Sequence, residues 1–138
     1  VGERPYYVGD MPHNWASAEF IRLVRHLLIL ERGRELHLLE GLPRAWTRPG
    51  CVTELKSVPT TFGDISLRLA VAADGRSATI ALDPPRRTPA ERLVVHLEHF
   101  AQGASNVRLD DEPLGREGHA IQADRPLTLR VVLQAPNP

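Results

Sequence analysis

The stretch that decides the fold is ISLRLAVAADGRSATIAL, residues 65–82. Large apolar side chains alternate with polar or small ones on both sides of Asp74-Gly75, a pattern typical of strands that bury one face. The Asp-Gly pair predicts a tight turn, so the two strands should form an antiparallel hairpin. This is the strongest hairpin signal in the chain, and it indicates a fold built from strands.

Weaker strand patterns lie on both sides of this hairpin. Further strands are predicted near residues 36–38, 52–58, 93–97, 107–109 and 127–133. The prolines between residues 83 and 89 indicate a loop, and Gly41-Leu42-Pro43 ends the first short strand. Short strands at this spacing predict a mainly β fold, an antiparallel β-sandwich that is jelly-roll-like.

One amphipathic helix is predicted before the strands. Apolar residues recur at helical spacing over residues 16–32 and cover about half of the circumference, which is wider than the ~100° stripe of a simple surface helix. Asn14 is the predicted N-cap, with His13 as the alternative boundary, and Gly33 is predicted to end the helix. A stripe this wide needs cover from more than one neighbour. We therefore divide the chain into residues 1–33, a lead-in with the helix, and residues 34–138, the sandwich.

Composition excludes several classes of partner. The 138 residues carry 17 basic and 17 acidic side chains, so the chain lacks the charge expected for nucleic acid or an anionic membrane surface. Its apolar runs are shorter than the ~18 residues of a membrane span. Cys51 is the only cysteine, which excludes an internal disulfide and leaves the compartment undecided. The first residue is not Met, and we expect a processed chain or a fragment of a longer protein.

Polar and aromatic residues converge at the start of the helix. Asp10, His13 and Trp15 could form one wall of a sugar site, because an indole face stacks on a pyranose while imidazole and carboxylate bind its hydroxyls. Spacing alone favours the alternative, in which Trp15 is core and the other two satisfy local backbone groups. Trp46 lies in a proline-bounded loop, where it is either a binding platform or, by preference, a plug between packed elements.

The remaining motifs predict no independent chemistry. His96 and His99 fall in a predicted strand, where residues three apart point to opposite faces, and the other histidines have no fixed relation to them, so we expect no metal site. The acids Asp110, Asp111 and Glu112 are adjacent in a predicted turn, whereas glycoside cleavage needs carboxylates on opposite sides of the bond. The chain has no phosphate-binding glycine loop and no expected cofactor.

Three segments together carry a family resemblance. Residues 9–15, Gly-Asp-Met-Pro-His-Asn-Trp before a helix, resemble the last inner-helix region of six-hairpin glycosidases, notably the α-L-rhamnosidase-like enzymes. Residues 58–67, VPTTFGDISL, resemble the V-P-T-x-x-G-x-I-x-V segment that opens their C-terminal β-sandwich. Gly41-Leu42-Pro43, with Trp46 close behind, is similar to the join between the two parts.

The resemblance implies a specific role. In such enzymes an α/α-barrel carries the active site and its two carboxylates, which have no counterpart in this chain. Only His13, and with it Trp15, matches family positions near the sugar pocket. The resemblance therefore implies a non-catalytic C-terminal portion of a glycoside hydrolase that buttresses the barrel of the same parent chain. Without that barrel, the helix must pack on the sandwich or on a second copy of the chain.

Two other functions remain open at the level of sequence. One is a stand-alone carbohydrate-binding β-sandwich with Trp46 as its platform, and the other is a purely structural or assembly module. The length of the reading frame upstream of Val1 separates the first interpretation from these two.

Overall fold

A computed structural model describes residues 13–100, 104–109, 112–113, 119–121 and 125–133. Within them, helix α1 (Asn14–Leu28) precedes ten strands, and a short 3-10 helix spans Arg44–Thr47. The strands are β1 (Ile29–Arg32), β2 (Glu35–Leu38), β3 (Val52–Thr60), β4 (Gly63–Val71), β5 (Ser77–Asp83), β6 (Arg92–Val95), β7 (Ala104–Leu109), β8 (Glu112–Pro113), β9 (His119–Ile121) and β10 (Leu127–Leu133).

The strands form two sheets. The larger has the order β3-β4-β5-β10-β7-β8 and is built around the predicted hairpin, in which Leu67 pairs with Leu82 and Leu69 with Ile80. The smaller has the order β1-β2-β6-β9. Among the described strands, all neighbouring pairs are antiparallel except β2 and β6, which run parallel.

Both sheets contribute to one apolar core. The larger sheet supplies Ile65, Leu67 and Leu69 from β4, which alternate with partly or fully exposed residues. The smaller sheet supplies three buried leucines and one buried valine from β2 and β6. Alternation of this kind leaves one face of each sheet for the core and one for solvent. The predicted fold class, a mainly β sandwich preceded by one helix, is confirmed.

The predicted end of the helix is wrong. α1 ends at Leu28, and residues 29–32 form β1, which pairs with β2 so that Ile29 lies opposite Leu38. Gly33 is in the turn of this hairpin with φ of 59°. A positive φ is needed both after a helix and in a tight hairpin turn, so glycine is favoured in both settings. The division at residues 33 and 34 therefore falls in a β-turn.

The C-terminal end of α1 is anchored to the rest of the fold. The Arg25 guanidinium lies 2.8 Å from a carboxylate oxygen of Glu31 and donates to the Pro59 carbonyl at 2.7 Å, while the Thr61 hydroxyl donates to Glu31 at 2.6 Å. The backbone of Gly41 comes so near to Leu27 that an added Cβ would lie 2.9 Å from the Leu27 Cα. These contacts join the C-terminal end of α1 to both sheets.

The start of α1 follows the alternative boundary, because His13 is the N-cap and Asn14 is already helical. The part of the chain that the structure describes contains no helix with the length and hydropathy of a membrane span.

Candidate functional site

The first three turns of α1 expose apolar side chains. Phe20, Ile21 and Leu23 are 65%, 68% and 57% exposed, and we call these three residues the exposed stripe. The same side of the helix continues toward its C-terminal end, where Leu27 is partly buried and Leu28 is 2% exposed. Among the described residues, the apolar side of α1 is therefore covered only toward its C-terminal end.

His13 and Trp15 lie together at the exposed start of α1. Their ring centroids are 5.9 Å apart and the rings are tilted by 56°. Trp15 is 73% exposed, so the alternative that places it in the core is wrong. The His13 side chain forms no cap hydrogen bond, although its carbonyl accepts from the Ser17 amide and hydroxyl. Asp10, the third predicted member of this group, lies outside the described residues.

Trp46 lies elsewhere. It belongs to the 3-10 helix, is partly buried, and packs against the core. With Val24, Leu28 and Val52 it borders a cavity of about 360 Å³ next to the covered end of α1. Val24 is nine residues from Trp15, roughly 14 Å along a helix axis. The structure therefore gives Trp46 a gap-filling position and does not bring it together with His13 and Trp15.

A larger cavity of about 590 Å³ opens along β3, β4 and β5. Its lining includes Glu54, Lys56, Arg68 and Asp83, and none of the described residues that border it is aromatic. A sugar-binding face normally offers an aromatic platform, so this cavity lacks that element.

A cluster of polar side chains occupies the outer face of the smaller sheet. In the parallel pairing of β2 and β6, His37 lies opposite Val94, and the amide of His96 donates to the Leu38 carbonyl at 3.0 Å. Residues two apart in an extended chain share a face, so His96 follows Val94 on the side where His37 lies. The two rings stack with centroids 5.2 Å apart, and His37 Nδ1 is 2.9 Å from His96 Nε2.

Carboxylates surround this histidine pair. His37 Nε2 lies 3.2 Å from Glu35 Oε2, and His96 Nδ1 lies 2.9 Å from Glu98 Oε1. Glu40 Oε2 is 3.9 Å from His37 Nδ1, and Glu40 Oε1 accepts from Arg32 at 2.6 Å. We call His37, Glu40 and His96 the histidine cluster; their nearest ligand atoms all lie within 4.8 Å of one another.

The carboxyl groups of Glu35 and Glu98 favour the ionised form. A hydrogen bond from the Arg92 guanidinium lowers the pKa of Glu35 below its usual value, and contact with His37 adds to this effect. Burial acts to raise the pKa of Glu98, but hydrogen bonds from its own backbone amide and from His96 outweigh it, so the net pKa is lowered. Both groups therefore act as acceptors near neutral pH.

The expectation that His37 has no fixed relation to His96 is wrong, and so is the strand assignment that separated His96 from His99. β6 ends at Val95, and the segment after it turns so that His99 Nε2 contacts the Glu40 carbonyl. The sequence did indicate part of this arrangement. Glu35 and His37 are two residues apart, as are His96 and Glu98, so each pair shares one face of an extended chain. The sequence does not indicate the parallel pairing of β2 with β6, which makes the two faces adjacent.

The acids Asp110 and Asp111 lie outside the described residues, while Glu112 begins β8 opposite Leu109 of β7.

No family model, curated protein or solved structure matches this chain, so its sites are interpreted from its own residues and geometry.

Proposed function

We propose that this chain is the non-catalytic C-terminal portion of a glycoside hydrolase of the six-hairpin, α-L-rhamnosidase-like type. In this role it buttresses an α/α-barrel catalytic domain of the same parent chain. The observation that carries the proposal is the exposed stripe of α1. Residues 9–15 and 58–67 resemble that family, and the resemblance identifies the neighbour that would cover the stripe as an α/α barrel.

The stripe is suited to a helical neighbour. Phe20, Ile21 and Leu23 lie within one turn of the helix, and the three-residue spacing of Phe20 and Leu23 is one of the ridge spacings by which helices interlock ridges and grooves. Covering each of them would contribute about 1.5–3 kcal/mol, so leaving all three in water is a substantial loss. The anchored end of α1 fixes the stripe relative to the sandwich. A barrel helix packed there would be held against the sandwich as well.

His13 would reach the edge of the sugar pocket. Its imidazole is exposed, makes no cap hydrogen bond, and stands beside the exposed indole of Trp15. It lies 12 and 14 residues before the anchoring residues Arg25 and Leu27, which is roughly 20 Å of helix. An imidazole next to an aromatic face offers a hydrogen-bonding group and a stacking surface for a pyranose.

The first test is the gene. If the proposal is right, the reading frame continues upstream for several hundred residues and encodes helical hairpins with acidic residues on their loops. A reading frame that begins near Val1 would overturn it.

The second test uses the full-length parent. His13→Ala should lower kcat/KM on rhamnosides without lowering the melting temperature, because the side chain touches substrate and is not packed in the core. His26→Ala is the matched control, since it removes a partly buried histidine of the same helix away from the pocket edge. Unchanged activity of the His13 variant would reject the pocket-edge role, even where the buttressing role holds.

A third experiment tests the carbohydrate-binding alternative. The isolated chain is titrated with rhamnose and with neutral oligosaccharides while tryptophan fluorescence is followed. We expect no saturable response. A response that Trp46→Ala removes and Trp15→Ala leaves intact would replace the proposal with a stand-alone binding module.

A further inference from the structure

We propose that His37, His96 and Glu40 form a Zn²⁺ site on the outer face of the smaller sheet. The ligand atoms are His37 Nδ1, His96 Nε2 and Glu40 Oε2. This site does not depend on the glycosidase proposal, because it is built from β2, β6 and the residues that follow them.

The first argument comes from the hydrogens of the two rings. The outer nitrogen of each ring faces a carboxylate oxygen, at 3.2 Å for His37 Nε2 and 2.9 Å for His96 Nδ1. A carboxylate can only accept, so each outer nitrogen carries the hydrogen. A neutral imidazole has one N–H, so the inner nitrogens present lone pairs to each other at 2.9 Å. Two acceptors so close repel unless a cation lies between them.

The second argument is the unsatisfied carboxylate oxygen. Glu40 Oε2 is buried and has no hydrogen-bond partner among the described residues, although its other oxygen is bound by Arg32. It lies 3.9 Å from the same His37 nitrogen that faces His96. A buried acceptor without a donor is destabilising, so a third lone pair at this point calls for a positive group.

A metal ion satisfies all three atoms, whereas a proton does not. A proton shared by the two rings bridges the nitrogens and leaves Glu40 Oε2 without a partner. Two imidazoles and one carboxylate are a ligand set that Zn²⁺ takes in sites with an open fourth position. Ca²⁺ and Mg²⁺ prefer oxygen ligands throughout, so they fit this set poorly.

Small shifts would bring the three atoms to the spacing that this ion takes. Ligand atoms around tetrahedral Zn²⁺ are ~3.3 Å apart, so the inner nitrogens, now 2.9 Å apart, would separate by ~0.4 Å, and Glu40 Oε2, now 3.9 Å from His37 Nδ1, would approach it by ~0.6 Å. Metal-bound histidines usually give their second N–H to a carboxylate, as His37 and His96 do here. Both histidine side chains are partly exposed, which leaves the ion a path from solvent.

The test is a titration of the full chain with ZnCl₂ after removal of metal with a chelator. Isothermal titration should show one ion per chain, and Co²⁺ should give the visible absorption bands of a tetrahedral site. Glu40→Gln and His96→Asn should each weaken Zn²⁺ binding by ~100-fold or more, and Glu98→Gln, which removes only a supporting carboxylate, by ~10–100-fold. His26→Gln is the matched control and should bind as the unaltered chain does.

Two results would overturn the proposal. One is the absence of saturable binding to the stripped chain, which would indicate that a shared proton occupies the pair. The other is binding that His96→Asn and Glu40→Gln leave unchanged. Glu40→Gln retains the shape of the side chain, so it keeps the comparison valid even where His96→Asn fails to fold.

Discussion

The exposed stripe of α1 places three large apolar side chains in water, whereas the histidine cluster places three hydrogen-bond acceptors against one another at a partly covered surface. The stripe lies where the fold supplies no neighbour among the described residues. The cluster lies where the fold brings three side chains together, and the atoms that they turn toward one another are all acceptors.

The difference indicates what each region lacks. Apolar surface is stabilised by any close-packed cover, so the stripe would be stabilised by a partner surface of matching area and shape. Converging acceptors are stabilised only by positive charge at one point, so the cluster would be stabilised by a cation. One region therefore points to a protein partner, and the other to an ion.

The largest expected effect is on the free energy of unfolding, and it differs between the covered and the exposed end of α1. Leu28→Ala should lower the free energy of unfolding by about 2–5 kcal/mol, because it opens a cavity in the core. The same substitution at Leu23, on the same side of the helix, should change it by less than about 0.5 kcal/mol. Urea unfolding of both variants measures the contrast. Equal losses would mean that the stripe is already covered.

A change of the opposite sign is expected in the histidine cluster. In metal-free protein, Glu40→Gln should raise the free energy of unfolding by about 1 kcal/mol, because the amide can donate where the carboxylate could only accept. Glu19→Gln, at an exposed carboxylate on α1, is the control and should have little effect. Urea unfolding in the presence of chelator measures both. A destabilised Glu40 variant would show that the acceptors do not repel.

The anchored end of α1 should depend on pH through Glu31. Burial acts to raise the pKa of this carboxyl, but hydrogen bonds from Thr61 and Arg25 lower it below its ordinary value of 4.5. The ionised form therefore stabilises the fold above about pH 4.5, and this contribution is lost as the pH falls toward the folded-state pKa.

Comparison with Glu31→Gln isolates that contribution from other carboxylates. The unaltered chain should be more stable than the variant by about 1 kcal/mol near neutral pH, with the gap closing on acidification. Thermal unfolding across the acid range measures it. A gap that is constant with pH would place the stabilisation outside the ionised carboxylate.

The smallest effect on stability is expected at the stripe itself. Phe20→Ser should change the free energy of unfolding by less than about 0.5 kcal/mol, yet it should reduce self-association of the isolated chain. Val132→Ser removes an apolar side chain that is 44% exposed on β10 and serves as the control. Sedimentation velocity at several concentrations measures the association. If both variants associate equally, α1 is not the contact surface.

Local patterns predicted the parts of the fold that depend on neighbouring residues. The β4–β5 hairpin followed from alternation around Asp74-Gly75, because a tight turn fixes the register of the strands beside it. The exposure of α1 followed in part from the width of its apolar arc. The end of the helix could not be predicted from local pattern, since Gly33 is equally suited to a helix terminus and to the hairpin turn that it occupies.

By itself, the sequence determined a neutral, mainly β chain with one amphipathic helix whose apolar arc is too wide for a single neighbour. It did so because hydrophobic period and turn chemistry are local properties. Only the tertiary structure decided which half of that arc is covered and which histidines meet. His37 and His96 become neighbours through the parallel pairing of β2 with β6, and strands so distant in the chain leave no mark of their register in the sequence.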